Sequence, residues 1–197
     1  MEKPVWTQPE WHVPTATQLT HSMNIFFLSL DPRKCAGLYC DQHVNKILLE
    51  IVQMLYTAWH HLGSDGWNST APFNVKRTQR GYRKAHSNHP MTMWVRSSRV
   101  NYMFTTRLVM ELAMEFYRRY HHVHACTRHI LWLYHNVPRE FELVESPRAY
   151  YSSDCGLGLS RIPECMPEQY HTSDIVAAYS AFYRGEKMRF ARWRTVY

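Results

Sequence analysis

The sequence predicts a mainly α-helical protein: a single compact domain of about four helices, with long loops and an extended N-terminal arm. Two observations carry this prediction. Apolar residues recur at spacings of three and four over long stretches, as they do on the buried face of a helix. The chain also has 197 residues, of which 45% are hydrophobic, and this is enough for one buried core.

The N-terminal part is expected to be non-helical. Residues 1–22 hold three prolines and two tryptophans, so we expect an extended arm that docks through its tryptophans. One helical domain over residues 23–197 should follow. The apolar run at residues 24–30 fits either a buried strand or an extended lead-in, since its length alone does not decide between them.

Four helices are predicted in order along the domain. Asp31-Pro32 is typical of a helix start, with Asp as the N-cap and Pro at the first helical position. The periodic pattern predicts helices over about residues 32–61, 90–120, 125–134 and 175–193. Ser87 or Asn88 is expected to cap the second helix, and Ser173 or Asp174 the last.

Polar residues gather near the start of the first predicted helix. Asp41, His43 and Lys46 lie close together beside an apolar stripe. Asp41 has no basic residue three or four positions away on its own helix, whereas Lys46 and Glu50 are spaced to form a surface ion pair. Asp41 is therefore either a structural carboxylate that is hydrogen-bonded from elsewhere, or a catalytic acid or base.

Basic residues are concentrated in two segments. The net charge of +7 and the pI near 9.2 favour a polyanionic partner, and both segments also carry aromatic residues that can stack on bases. One is the loop with Lys76, Arg77, Arg80, Arg83 and Lys84, and the other is the C-terminal segment with Lys187, Arg189, Arg192 and Arg194. We expect double-stranded DNA as the partner, with a merely solvated basic surface as the alternative.

Membrane proteins and disulfide-rich secreted proteins are disfavoured. No apolar run reaches the length of a membrane span, and residues 1–4 lack the form of a signal peptide. Five irregularly spaced cysteines argue against a disulfide framework, so we expect a cytoplasmic protein. His122, His124, Cys126 and His129 are candidate zinc ligands, but they lack a paired-cysteine knuckle, and we expect neither a metal nor a cofactor.

Short motifs along the chain resemble those of a known family. They are Met23-Asn24-Ile25-Phe26-Phe27-Leu28, Asp31-Pro32, Cys40-Asp41-x-His43-Val44-x-Lys46, His86-x-Asn88-His89-Pro90, Asn101-Tyr102, Met166-Pro167-Glu168-x-Tyr170 and Ala178-Tyr179-x-x-Phe182-Tyr183. In order and spacing they are similar to small phage and large-virus proteins that resemble pyrimidine-dimer DNA glycosylases. A further likeness, to the phage endonuclease V fold, rests on the all-helical layout and on an amphipathic helix after a His-containing turn.

The resemblance implies a helical DNA glycosylase. Such enzymes take the target base out of the stack and break its N-glycosidic bond through an oxocarbenium-like sugar. It implies Asp41 as the catalytic carboxylate, with His43 or His89 protonating the departing base or orienting a phosphate. The flipped nucleotide would be held by polar and aromatic side chains, namely Lys46, His86, Asn88, Trp94, Asn101 and Tyr102.

The chain departs from endonuclease V at its N-terminus. That enzyme uses its own N-terminal amine to cut the strand through a Schiff base, whereas here 22 residues precede the matching start. We therefore expect a monofunctional enzyme that leaves an abasic site, although Lys46 could supply an amine for strand cleavage. We also expect the protein to be a monomer.

Several substrates and functions are compatible with the resemblance. A hypermodified pyrimidine such as glucosylated hydroxymethylcytosine, removed in anti-phage defence by a protein of bacterial or viral origin, is favoured over a pyrimidine dimer. A non-enzymatic DNA-binding accessory protein and a nucleotide-modifying transferase are the alternatives.

Overall fold

The computed structural model of the chain is mainly helical, which confirms the predicted fold class. The structure describes residues 24–142 and 158–194, so the predicted arm over residues 1–22 lies outside the described residues. Within these two ranges there are six α-helices and no strand. The helices are α1 (Pro32–Leu38), α2 (Asp41–Leu62), α3 (Pro90–Val95), α4 (Arg99–Tyr120), α5 (Thr127–His135) and α6 (Ile175–Lys187).

The first predicted helix is divided at Tyr39 and Cys40, so the prediction of one continuous helix is wrong. Asp31 caps α1 as expected, since its side chain accepts a hydrogen bond from the Lys34 N–H at 3.0 Å. Both residues at the break are extended, which lets the buried Tyr39 hydroxyl donate to the Phe26 carbonyl at 2.8 Å. The apolar stripe continues through the break, so periodicity alone does not reveal it.

The second predicted helix is also divided, into α3 and α4. Ser98 begins α4 by accepting a hydrogen bond from the Asn101 N–H at 3.1 Å. His89 caps α3, because its Nδ1 accepts an N–H of the first turn at 3.2 Å, so the prediction of Ser87 or Asn88 as the cap is wrong.

The last two helices lie close to where periodicity places them. α5 begins at Thr127 rather than at Ala125. Asp174 caps α6, one of the two caps expected, and its Oδ1 accepts two N–H groups of the first turn at 2.9 and 3.1 Å. α6 ends at Lys187 rather than near Trp193, and the chain then crosses the start of α2. Residues 188–194 are called the C-terminal strap below.

Helix α2 is central and positions the candidate site. Residues 24–30 form an extended lead-in packed against the helices, in which Phe27 is fully buried and stacks on Phe104 of α4 with 5.7 Å between ring centroids. One stripe of α2 stays exposed, at Gln42, Asn45, Lys46 and Leu49. This stripe forms the wall of the two clefts described below.

The two longest described helices, α2 and α4, have 22 residues each and pack against each other. Both carry charged side chains at several positions. None of the described helices is long and apolar enough to cross a membrane.

Candidate active site and nucleic-acid interface

An open cleft of about 450 Å³ lies beside α2, and we call it the Glu50 cleft. Three parts of the chain form it: α2, the loop before α3 and the turn between α4 and α5. Its lining residues are Asn45, Lys46, Leu49, Glu50, Gln53, His86 and His124. The α2 residues are spaced by three and four, so they share one face of the helix.

Among the described residues, Glu50 is the one carboxylate that lines this cleft, and it is only 8% exposed. Its Oε2 accepts a hydrogen bond from the Asn24 N–H at 3.3 Å, and its Oε1 lies 3.5 Å from the Lys46 Nζ. The predicted ion pair with Lys46 is present, but the prediction that it lies at the surface is wrong for Glu50, because this side chain is buried. Burial raises the pKa of the Glu50 carboxyl, while Lys46 and the Asn24 N–H oppose the rise.

The amide and imidazole groups of the cleft have defined orientations. His124 Nδ1 accepts the Cys126 N–H at 3.1 Å, so the proton of a neutral ring is on Nε2. This Nε2–H donates to the Asn45 Oδ1 at 3.1 Å, which leaves the Asn45 amide N–H groups directed to other acceptors. Burial lowers the pKa of His124, which favours this neutral form.

Asp41 is the first residue of α2, and its missing basic partner comes from another helix. Its Oδ1 accepts hydrogen bonds from Arg119 Nη1 at 3.0 Å and from the Arg194 N–H at 3.1 Å. Arg119 is buried and also bonds Glu115 Oε1 at 2.7 Å and the Tyr39 carbonyl at 2.7 Å. Asp41 therefore joins α2, α4 and the C-terminal strap.

The two histidines proposed as proton donors are neutral at pH 7. Burial, together with the charges of Lys187 and Lys46, lowers the pKa of His43 to about 4. Burial also lowers the pKa of His89 to about 4. His43 Nδ1 lies 2.7 Å from the Tyr183 hydroxyl, and His89 Nδ1 caps α3, whereas His89 Nε2 is buried without a hydrogen-bond partner among the described residues.

Three of the predicted nucleotide-binding residues lie in the interior and line neither cleft. Trp94 donates from Nε1 to the Ser160 carbonyl at 3.1 Å, and Asn101 Oδ1 accepts the Ser160 N–H at 3.1 Å. The Tyr102 hydroxyl accepts a hydrogen bond from the Trp59 Nε1 at 3.1 Å. The expected pocket among these residues does not form, because their polar groups are used to join helices to each other and to residues 158–166.

The other three predicted nucleotide-binding residues are closer to solvent. Lys46 and His86 line the Glu50 cleft. Asn88 is exposed on the loop between His86 and α3. The structure thus separates the predicted set into cleft residues and residues that hold the core together.

The basic loop is partly fixed by its own side chains. Arg80 stacks its guanidinium on the Phe73 ring, 4.2 Å from the centroid, and donates to the Ala71 carbonyl at 2.9 Å. Arg83 donates to Gln79 Oε1 at 3.2 Å. The remaining basic residues are exposed, namely Lys76, Arg77 and Lys84. The loop leads directly to His86, so these charges lie on the chain that forms one wall of the Glu50 cleft.

Reversing charge in this loop should weaken binding to any DNA. Lys76→Glu combined with Lys84→Glu removes two side chains available to phosphates, and the slope of log K against log salt should fall by roughly one unit for each phosphate that is no longer bound. Anisotropy titrations over a range of salt concentrations measure this. A control variant reverses Arg33 and Arg161, which already pair with carboxylates. Equal reductions in both variants would show that the loop makes no specific contribution.

The candidate zinc ligands have other partners. His124 contacts Asn45, and His129 Nδ1 lies 2.9 Å from the buried Tyr56 hydroxyl. Across the described residues, no group of three or more His, Cys, Asp or Glu side chains is arranged to hold a metal ion.

Sequence reasoning missed Glu50, Asn45, Gln53 and His124 as members of one site. The signal for the three α2 residues is the polar stripe that continues from Gln42 along one helical face. Nothing in the local sequence places His124 beside Asn45, because 79 positions separate them. No protein family, curated protein or solved structure matches this chain.

Proposed function

We propose that this protein is a DNA glycosylase in which Glu50 is the catalytic carboxylate. The observation that carries the proposal is a nearly buried carboxylate with a raised pKa at the wall of an open cleft, which is also lined by His86 from the segment that follows the basic loop. A carboxylate whose pKa lies closer to neutral exchanges protons more readily near pH 7. Asp41 differs, since its Oδ1 is used by Arg119 and the C-terminal strap.

The cleft residues suit cleavage of an N-glycosidic bond. With the target base rotated into the cleft, the bond breaks and its electron pair leaves with the base, which takes a proton from solvent. The Glu50 carboxylate stabilises the oxocarbenium-like sugar and accepts the proton of the water that attacks C1′. Lys46, whose Nζ lies 3.5 Å from Glu50 Oε1, supplies a positive charge for a phosphate of the same nucleotide.

The amide and imidazole groups of the lining suit a hydroxylated base as the substrate. Asn45 and Gln53 offer amide groups, and His86 and His124 add imidazoles, which together suit the hydroxyl groups of a glucosylated hydroxymethylcytosine. At about 450 Å³ and open to solvent, the cleft has room for a base that carries a sugar. Removal of this base from phage DNA would act in anti-phage defence, in the cytoplasm of a bacterium. Removal of pyrimidine dimers is the competing activity on the same site.

The protein should release a free base and leave the DNA backbone uncut. Plain, ultraviolet-irradiated and glucosylated hydroxymethylcytosine DNA are incubated with the protein, and the products are analysed by mass spectrometry and an aldehyde-reactive probe. We expect free modified base and abasic sites from the glucosylated DNA. Prompt strand cleavage with a borohydride-trapped adduct would instead indicate a lyase. No base release from any of the three DNAs would refute the glycosylase proposal.

A further inference from the structure

We infer that a second cleft, between the C-terminal strap and the start of α2, binds the phosphate backbone of the DNA strand next to the Glu50 cleft. It has a volume of about 560 Å³ and is open to solvent. Its polar and charged lining comes from Asp41, Gln42, Tyr120, Arg189, Arg192 and Arg194. We call it the arginine cleft. The choice of DNA as its ligand rests on the proposed function.

The strap is fixed to the body of the protein by its backbone. The Asp41 N–H donates to the Arg192 carbonyl at 2.8 Å, and the Arg194 N–H donates to Asp41 Oδ1 at 3.1 Å. The Arg194 guanidinium lies over the Tyr120 ring, 4.6 Å from its centroid. These contacts hold the strap in place, so its arginines form a preorganised surface rather than a free tail.

The described lining residues give the arginine cleft a net positive charge. Arg189, Arg192 and Arg194 are exposed, and none of them forms an ion pair with a carboxylate of the described residues. The nearest acidic group of the lining, Asp41, is already paired with the buried Arg119. Guanidinium groups bind phosphate oxygens through two parallel hydrogen bonds, so three of them in one cleft favour a phosphodiester strand.

Aromatic side chains of the strap support a nucleic acid over other polyanions. Phe190 and Trp193 are 38% and 43% exposed, although both are large and apolar. The Trp193 Nε1 donates to the Leu38 carbonyl at 3.3 Å, which orients the ring. Rings next to arginines can stack on bases or pack against sugars, which is typical of surfaces that follow a nucleic-acid strand.

The two clefts lie next to each other along the exposed stripe of α2. Gln42 lines the arginine cleft, and Asn45 and Lys46 line the Glu50 cleft one turn further on. Asp41 and Glu50 are nine positions apart, or about two and a half turns, so they lie about 14 Å apart along the helix axis and at opposite edges of the exposed stripe. At a rise of about 3.4 Å per nucleotide along the axis of a duplex, this length corresponds to roughly four nucleotides of a strand aligned with α2. Phosphates at about that distance from the target nucleotide should therefore contact the arginines.

Neutralising Arg192 and Arg194 together should weaken DNA binding by removing two phosphate contacts. For Arg192→Gln with Arg194→Gln we expect the salt slope for a plain duplex to fall by about two units, and the affinity at low salt by about 10-fold or more. Both main-chain bonds to Asp41 remain possible in this variant, and a melting curve checks its fold. The control variant, Arg33→Gln with Arg161→Gln, removes the same charge at two ion-paired positions and should bind nearly as the wild type does.

A phosphate scan locates the contact. Each duplex in a series contains a stable abasic analogue and one neutral methylphosphonate in place of a phosphate, and the position of this methylphosphonate differs from one duplex to the next. Substitution about three to five nucleotides to one side of the analogue should weaken binding of the wild type but not of the double variant. Identical patterns in both proteins, or an unchanged salt slope, would overturn the arginine-cleft assignment. The salt slope for binding to a plain duplex does not depend on base release. A protein that binds DNA through the arginine cleft but releases no base would therefore refute the proposed function and leave the arginine-cleft assignment intact.

Discussion

Glu50→Gln is expected to lower the rate of base release by a factor of about 100 to 1,000 while leaving DNA binding intact. The amide keeps the shape of the side chain and can still accept the Asn24 N–H, but it holds no charge against the sugar cation and accepts no proton from water. Single-turnover base release measures the rate. A control is Glu111→Gln on α4, whose carboxylate pairs with Arg33, and it should release base at the wild-type rate.

The same variant should not lose stability at neutral pH. Because burial raises the pKa of Glu50, the native state binds this proton more tightly than the unfolded state does. The stabilisation that this bound proton provides is complete at pH values below the pKa of Glu50 in the unfolded state. It is lost as the pH rises through the pKa of Glu50 in the folded state. At pH 7 the wild type bears the cost of a buried charge, and Gln removes it. We expect a melting temperature equal to or above that of the wild type, with a difference that shrinks in acid.

Arg119→Met should cause the largest loss of stability. Arg119 is almost fully buried and joins Glu115 and Asp41 to the carbonyls of Gly37 and Tyr39. Its removal leaves two carboxylates and two carbonyls without this partner, and breaking a buried ion pair costs about 3–5 kcal/mol. For a chain of this size that lowers the melting temperature by roughly 10 °C.

The neighbouring Arg118 provides the comparison for Arg119. It also pairs with Glu115, but its side chain is 40% exposed against 3% for Arg119. Arg118→Met should cost no more than about 1 kcal/mol, as is usual for an exposed pair. Calorimetry or chemical denaturation measures both variants. Similar destabilisation of the two would show that burial of the Arg119 network does not govern stability.

Local sequence rules predicted the helical class well and the helix breaks poorly. Periodic apolar residues and the Asp31 cap depend on neighbours along the chain, and both are found in the structure. The break at Tyr39 depends on a hydrogen bond to Phe26 and on Arg119, which donates to the freed Tyr39 carbonyl from 80 positions away. Such tertiary contacts outweigh helix propensity, and the local sequence pattern does not reveal them.

The candidate site was predictable only where it lies on one helix face. The spacing of Lys46 and Glu50 predicts their ion pair, but the burial of Glu50 comes from the lead-in at Asn24, 26 positions earlier. Trp94 and Tyr102 were expected, from the family resemblance, to help hold the flipped nucleotide. Their N–H and O–H groups instead form hydrogen bonds in the interior, a use that sequence alone does not separate from ligand binding.

The most direct test compares Glu50→Gln with Asp41→Asn in single-turnover base release at saturating protein. Saturation removes differences in affinity, so the rate constant reports only the chemical step. We expect a loss of at least about 100-fold for Glu50→Gln. Asp41→Asn should retain a rate within a few-fold of the wild type, with weaker binding and a lower melting temperature, because Asp41 positions the strap. Full activity of Glu50→Gln, with loss of turnover in a stably folded Asp41→Asn variant, would contradict this account and make Asp41 the catalytic carboxylate.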